Sequence, residues 1–223
     1  MTNQQTRWIV DAFVEPSDKT TIRVFVRHEI AYYNALLASM GSRLRTMPEV
    51  FDEVSDNLII DTAVRGDVAI PADITERNRL FLEAINGPAA RNIHPATRAA
   101  MAVEMLRAHR QQAETMRRPE TPVSLLSPHD GRVKRHVQLP RPAVTLVGDD
   151  SIRIPYARKP ILLKGVFPKT GWNLVVIRDM DRPGTPPGPW SWSVEFRNET
   201  SDYLLRMTDL PLKAGRRSPE QSR

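Results

Sequence analysis

The sequence predicts an α+β chain: one β-strand, then a helical block, then an antiparallel β domain. Three observations predict it. Apolar residues recur at three- and four-residue steps from Ile22 through Val26, Ile30, Tyr33, Leu37 and Met40 to Leu44, the period of an amphipathic helix. After Pro119 helical periodicity stops, proline becomes frequent and short β-prone runs begin. Trp190, Trp192, Val194 and Phe196 then alternate with Ser191, Ser193, Glu195 and Arg197, the period of a half-buried strand.

In chain order, residues 8–14 are short, apolar and β-prone, and Pro16 ends them. Ser17 and Asp18 offer an N-cap for the first helix, with Gly41 as a break near its end. A second helix fits 48–64, where Pro48 suits the first turn and Gly66 follows the end. A third fits 73–86, closed by Gly87-Pro88, and a fourth 94–118, stopped by Pro119. On the fourth, Met101, Met105, Ala108, Gln112 and Met116 form one stripe, read as helix-packing core. In the β domain, residues 144–147 and 152–155 flank Gly148-Asp149-Asp150-Ser151 as a hairpin. Strands over 172–178 and 190–197 follow, separated by a Pro- and Gly-rich loop at 179–189.

Composition limits the function classes. The 223 residues contain no cysteine, which rules out disulfides and thiolate metal sites and fits a reducing compartment. The first residues lack the basic and apolar regions of a signal peptide, and no apolar run reaches the about 18–20 residues of a membrane span. A cytoplasmic protein is expected. The net charge of +6 is uneven: residues 1–86 carry 9 Lys+Arg against 13 Asp+Glu, and residues 87–223 carry 23 against 13. A localised polyanion-binding face is therefore expected toward the C-terminal portion.

Catalytic constellations are sought without success. His28-Glu29-Ile30-Ala31-Tyr32 starts like a zinc-protease helix, but Tyr32 stands where the second histidine belongs. The five histidines show no ligand spacing. Ser127-Pro128-His129-Asp130 holds triad residue types, but neighbours in a turn cannot take triad geometry. Asp179-Met180-Asp181 and Asp149-Asp150 read as solvated turns. No catalytic residue, metal site or cofactor is expected, and the chain is expected not to be an enzyme. A binding chemistry remains. Arg107, Arg110, Arg117 and Arg118 on the fourth helix, with Arg132, Lys134, Arg135, Arg153, Tyr156, Arg158, Lys159, Lys164 and Lys169 in the β domain, are the candidate nucleic-acid contacts. Single-strand binders combine such cations with aromatic stacking faces. Trp190 and Trp192, in alternation with Val194, are expected in the core.

The order of elements resembles the N-terminal half of the TnpB family of RNA-guided nucleases and their type V CRISPR descendants. The matching residues are the opening strand at 8–16, Tyr33-Asn34-Ala35-Leu36 on the first helix, and His94-Pro95-Ala96-Thr97 onward. Asp150-Ser151-Ile152-Arg153-Ile154-Pro155 and the strand pair ending in Trp190-Ser191-Trp192-Ser193-Val194 complete the match. The resemblance covers residues 7–198 through short, degenerate motifs. It implies an OB-like antiparallel β-barrel of the wedge type with a helical, recognition-lobe-like block inserted after the first strand. The implied division is 1–18 first barrel strand, 19–118 helical insertion, 119–210 barrel and 211–223 disordered basic tail.

The sequence departs from the family after Arg197. Asp202 and Asp209 do not sit in the Ile-Asp-Xaa-Gly context that opens the RuvC-like nuclease, and the zinc-ribbon cysteines are missing. The expectation is a non-catalytic protein binding structured RNA or an RNA–DNA duplex, with RNA ahead of DNA as partner. The alternative is a protein–protein adaptor or a structural component of a larger assembly, including a viral one. A third is an enzyme half completed by a nuclease subunit in trans.

Overall fold

The computed structural model describes residues 6–40, 54–66, 68–116, 136–180 and 190–208. They form β1 (Arg7–Phe13), α1 (Pro16–Ser39), α2 (Asp56–Arg65), α3 (Glu76–Ile85), α4 (Pro95–Met116), β2 (His136–Pro140), β3 (Thr145–Val147), β4 (Ser151–Arg153), β5 (Ile161–Lys164), β6 (Leu174–Asp179), β7 (Trp192–Arg197) and α5 (Asp202–Thr208). The fold is mixed α+β. Strands β2 and β5 and helix α5 are additions to the elements expected from sequence.

All seven strands join one sheet in the order β2-β6-β7-β1-β5-β4-β3. Every neighbouring pair is antiparallel. The edge strands β2 and β3 are consecutive in the chain, separated only by residues 141–144, three of which form a 3₁₀ turn. A flat seven-stranded sheet holds its edges about 29 Å apart, whereas so short a link spans at most about 18 Å. The sheet therefore curls into an antiparallel half-barrel.

Its concave face is apolar. Val10 pairs with Val194, which pairs with Ile177, which pairs with Val137. The next inner row runs Trp8, Phe196, Val175 and Leu139. Phe167 stacks on Phe196 with centroids 5.1 Å apart, and Trp172 meets the same ring edge-on at 5.3 Å. Ile22, Val26 and Ile30 from the first half of α1 pack into this core, so α1 is part of the barrel's filling.

The second half of α1 enters a separate helical core. There Tyr32, Leu36 and Leu37 pack with Phe81, Leu82 and Leu106. Met105 is core as expected, with Met101 half-buried against it; the side chains of Gln112 and Met116 lie outside the description. Leu174 and Val176 of β6 belong to this helical core while Val175 and Ile177 face the barrel, so β6 is buried on both faces. Helix α5 adds Tyr203, Leu204 and Met207 to the same layer.

The helix starts differ from expectation for local reasons. Pro16, with its fixed φ, opens α1 and makes Glu15 the cap position, so Asp18 falls in the first turn and is not a cap. Ser55 caps α2 by accepting the Leu58 N–H at 3.1 Å, and left-handed Gly66 (φ 78°) ends it. Thr75 caps α3 in the same way. The expected extensions of the first helix to 44 and of the second from 48 run into 41–53, outside the described residues.

Barrel and helices meet at a polar junction. The Tyr156 hydroxyl accepts the His94 N–H at 3.2 Å, and its ring stacks on Phe25 at 3.9 Å. The His94 Nδ1 in turn accepts the Ala96 N–H at 3.2 Å, capping α4. Burial, reinforced by the Arg98 guanidinium, pushes the His94 imidazole down to about 4 from its ordinary 6.5. The unfolded chain thus binds this proton near 6.5 and the folded chain only near 4, so stability is complete above 6.5 and falls as pH drops toward 4. His94→Asn keeps a capping acceptor without titrating. Urea unfolding should show wild type losing more stability than His94→Asn between pH 7 and about pH 4.5; parallel losses would remove His94 from the account.

Candidate nucleic-acid interface

The convex face of the sheet is organised in register rows. One runs Leu162 to Phe13; the next runs Lys164, Asp11, Ser193, Arg178 and His136. Beyond it lie Ile9, Glu195, Val176 and Gln138, then Arg7, Arg197 and Leu174. The helical layer covers the β6 end of these rows. Toward β1 and β5 the wall is open: Ile9 is 68% exposed, Leu162 42% and Trp190 39%.

Four of the candidate cations gather on this open wall and its rim. Arg153 ends β4, Arg158 and Lys159 lie in the β4–β5 loop, and Lys164 ends β5; all four are exposed. The loop is fixed by buried Asp18, whose carboxylate accepts the Arg158 N–H at 3.2 Å and the Lys159 N–H at 3.1 Å. Lys159 Nζ lies 3.3 Å from the Glu15 carboxylate. The side chains of Arg153 and Arg158 make no hydrogen bond or ion pair among the described residues. Lys164 Nζ stands 5.9 Å from the Trp190 ring centroid, the outer limit of a cation–π contact.

The other candidates do different work. Lys169 donates to the Gly148 and Asp149 carbonyls at 3.4 and 2.6 Å and lies over Phe167, so it holds the β3–β4 turn. Arg107 is bound to the Asp56 carboxylate at 2.6 Å and lies over Tyr203, and Arg110 donates to the Val54 carbonyl at 2.7 Å. Both brace the entry to α2. Tyr156, expected at a ligand, is buried, with one ring face stacked on Phe25. Arg117, Arg118, Arg132, Lys134 and Arg135 lie outside the described residues.

Two features were not anticipated. Trp190 is outside the core because the strand begins only at Trp192, so the inward alternation does not reach back to it. Trp190 instead meets Phe13 edge-on at 5.9 Å on the outer wall. Trp192, by contrast, is core as expected. The second feature is a guanidinium cluster. Arg7, Arg178 and Arg197 converge on the buried Glu195 carboxylate at 3.9, 3.3 and 2.8 Å. Hydrogen bonding from Arg197, then the charges of Arg197 and Arg178, hold that carboxyl below its usual range against the opposing effect of burial. Only the pairing of β1 with β7 and of β7 with β6 brings these residues together, and composition carries no sign of it.

Among the described residues no three His, Asp or Glu side chains gather as a metal site, and no helix is long and apolar enough to cross a membrane. No protein-family model matches the chain, and no curated protein matches it.

The anchoring of the basic loop is open to a direct check. Asp18→Ala removes a charged acceptor from two backbone donors, each such bond being worth about 1.5–3 kcal/mol. Urea unfolding should register a loss in that range or above, and amide exchange at Arg158 and Lys159 should accelerate selectively. Unchanged protection at these two amides would show that Asp18 does not fix the loop.

Proposed function

We propose that the chain is a non-catalytic nucleic-acid-binding protein related to the N-terminal half of the TnpB-like nucleases, gripping structured RNA or an RNA–DNA duplex. On this reading the half-barrel is the OB-like, wedge-type barrel of that family and helices α1–α4 are its inserted lobe. The observation that carries the reading is the exposed set Arg153, Arg158, Lys159 and Lys164 on adjacent strands and their loop, with Trp190 beside Lys164. Arg153 and Arg158 spend no charge on neighbouring carboxylates among the described residues, so phosphates can take their full donor capacity. Among the described residues, the reading is supported by this one wall.

A protein-partner reading rests on Ile9 and on Val166, which is 95% exposed. Native mass with and without nuclease separates the two: an assembly that survives nuclease favours the adaptor.

The double variant Lys159→Gln with Lys164→Gln should weaken RNA binding about tenfold more than Arg65→Gln with Arg91→Gln, two exposed arginines of the helical block with the same change in net charge. Loss of two phosphate contacts should also flatten the slope of log affinity against log salt by roughly 1.5. Equal weakening by the two pairs would place the grip elsewhere. Absence of any nucleic-acid binding at low salt would refute the reading itself.

A further inference from the structure

We infer that Trp190 is a stacking platform for a single unpaired nucleobase, with Lys164 supplying the contact to an adjoining phosphate. The inference rests on the nucleic-acid reading and adds to it that the ligand presents an unpaired base at this wall.

Trp190 differs from the other three tryptophans in position. Trp172 and Trp192 are buried in the barrel and Trp8 packs against its core, whereas Trp190 stands half-exposed on the outer wall. It is also held in place. Phe13 meets the indole at 62° between ring planes. The adjoining Ser191 is tied twice, its carbonyl accepting the Met180 N–H at 2.8 Å and its hydroxyl accepting from Lys19 Nζ at 3.0 Å. A platform fixed in advance loses little freedom on binding.

The surroundings select the ligand. Lys164 Nζ lies 5.9 Å from the ring centroid, so its flexible stem can turn the ammonium to a phosphate at the cost of only a marginal cation–π contact. Lys159 is exposed in the loop that leads into the same strand. An exposed tryptophan also suits a protein partner, but such a partner needs a continuous apolar patch. Here the row of Leu162 and Phe13 is separated from Ile9 by the polar row Lys164, Asp11, Ser193 and Arg178. One aromatic face flanked by cations is the provision of a single-strand binder, in which stacking tolerates any base.

The test uses the full chain with two probes: a labelled single-stranded oligouridine and a blunt-ended RNA duplex of equal charge. Trp190→Ala should weaken the single strand roughly 5- to 150-fold and leave the duplex within about twofold. Trp190→Phe, which keeps a ring, should restore most of the loss, and wild-type tryptophan emission should be quenched by the single strand. Should Trp190→Ala fail to fold, Trp190→Phe and the quenching decide: full single-strand affinity without quenching overturns the platform. Unchanged single-strand and duplex affinity in Trp190→Ala overturns the platform and leaves the grip standing. A wild type that binds neither probe overturns the grip, and the platform with it. Loss of a co-purifying protein in Trp190→Ala, with RNA affinity intact, reassigns Trp190 to a protein contact and overturns the inference.

Discussion

Everything in the β domain depends on the short chain between β2 and β3. These strands are the two edges of the sheet, yet residues 141–144 are all that joins them. The link forces the sheet to curl, and curling creates a concave face narrow enough for large rings to fill. Trp172, Trp192, Phe196 and Phe167 occupy it, and the first half of α1 lies against it. Arg141 reinforces the corner, donating to the Trp172 carbonyl at 3.1 Å while its guanidinium lies over the indole. With the inner positions taken by apolar side chains, the charged residues of β4 and β5 are turned outward by strand alternation. The exposed charges of these strands therefore lie on the convex wall.

A second constraint decides which part of that wall is available. Strand β6 is apolar on both faces, so its outer residues Leu174 and Val176 need a cover, which α5 and the helical core provide. That cover occupies the β6 end of the outer rows and leaves the β1–β5 end open. Glu195 marks the boundary. A carboxylate buried there without compensation would be costly, and three arginines from β1, β6 and β7 neutralise it. Those guanidiniums are committed to structure. Among the described residues, the exposed cations of the open wall are the ones beyond them, on β4, β5 and the loop pinned by Asp18.

Local periodicity carried much of this architecture. The helical stripes of α1 and α4 and the alternation of Trp192, Val194 and Phe196 are written in consecutive residues, and the elements appear where these patterns fall. Strands β2 and β5 were not legible, since five and four residues set among prolines hold too few alternations to show a period. Of the candidate wall, the cations are visible in the sequence and the placement of the aromatics is not. Tyr156 and Trp190 look alike in the sequence, each an aromatic ring near basic residues. Their fates are decided by contacts 62 residues away from Tyr156, at His94, and 177 residues away from Trp190, at Phe13. The contacts of Arg107 and Arg110 were equally hidden, because their partners Asp56 and Val54 lie at the start of α2 and just before it, more than 50 residues away in the chain.

The number of available cations bears on how the proposed grip would work. Four side chains on one wall, each releasing about 0.7–0.9 of a counterion from nucleic acid, make a contact of modest strength and moderate salt dependence. Such a contact positions a backbone and reads nothing of its sequence. Selectivity for one kind of nucleic acid must then come from something other than charge. On the proposed reading, the indole of Trp190 would supply it, by favouring strands that offer an unpaired base over duplexes that do not. The helical block, nearly balanced in charge and braced internally by Arg107 and Arg110, would add shape more readily than charge. On the proposed reading, the basic wall would gather polyanions and the indole beside it would decide which is held.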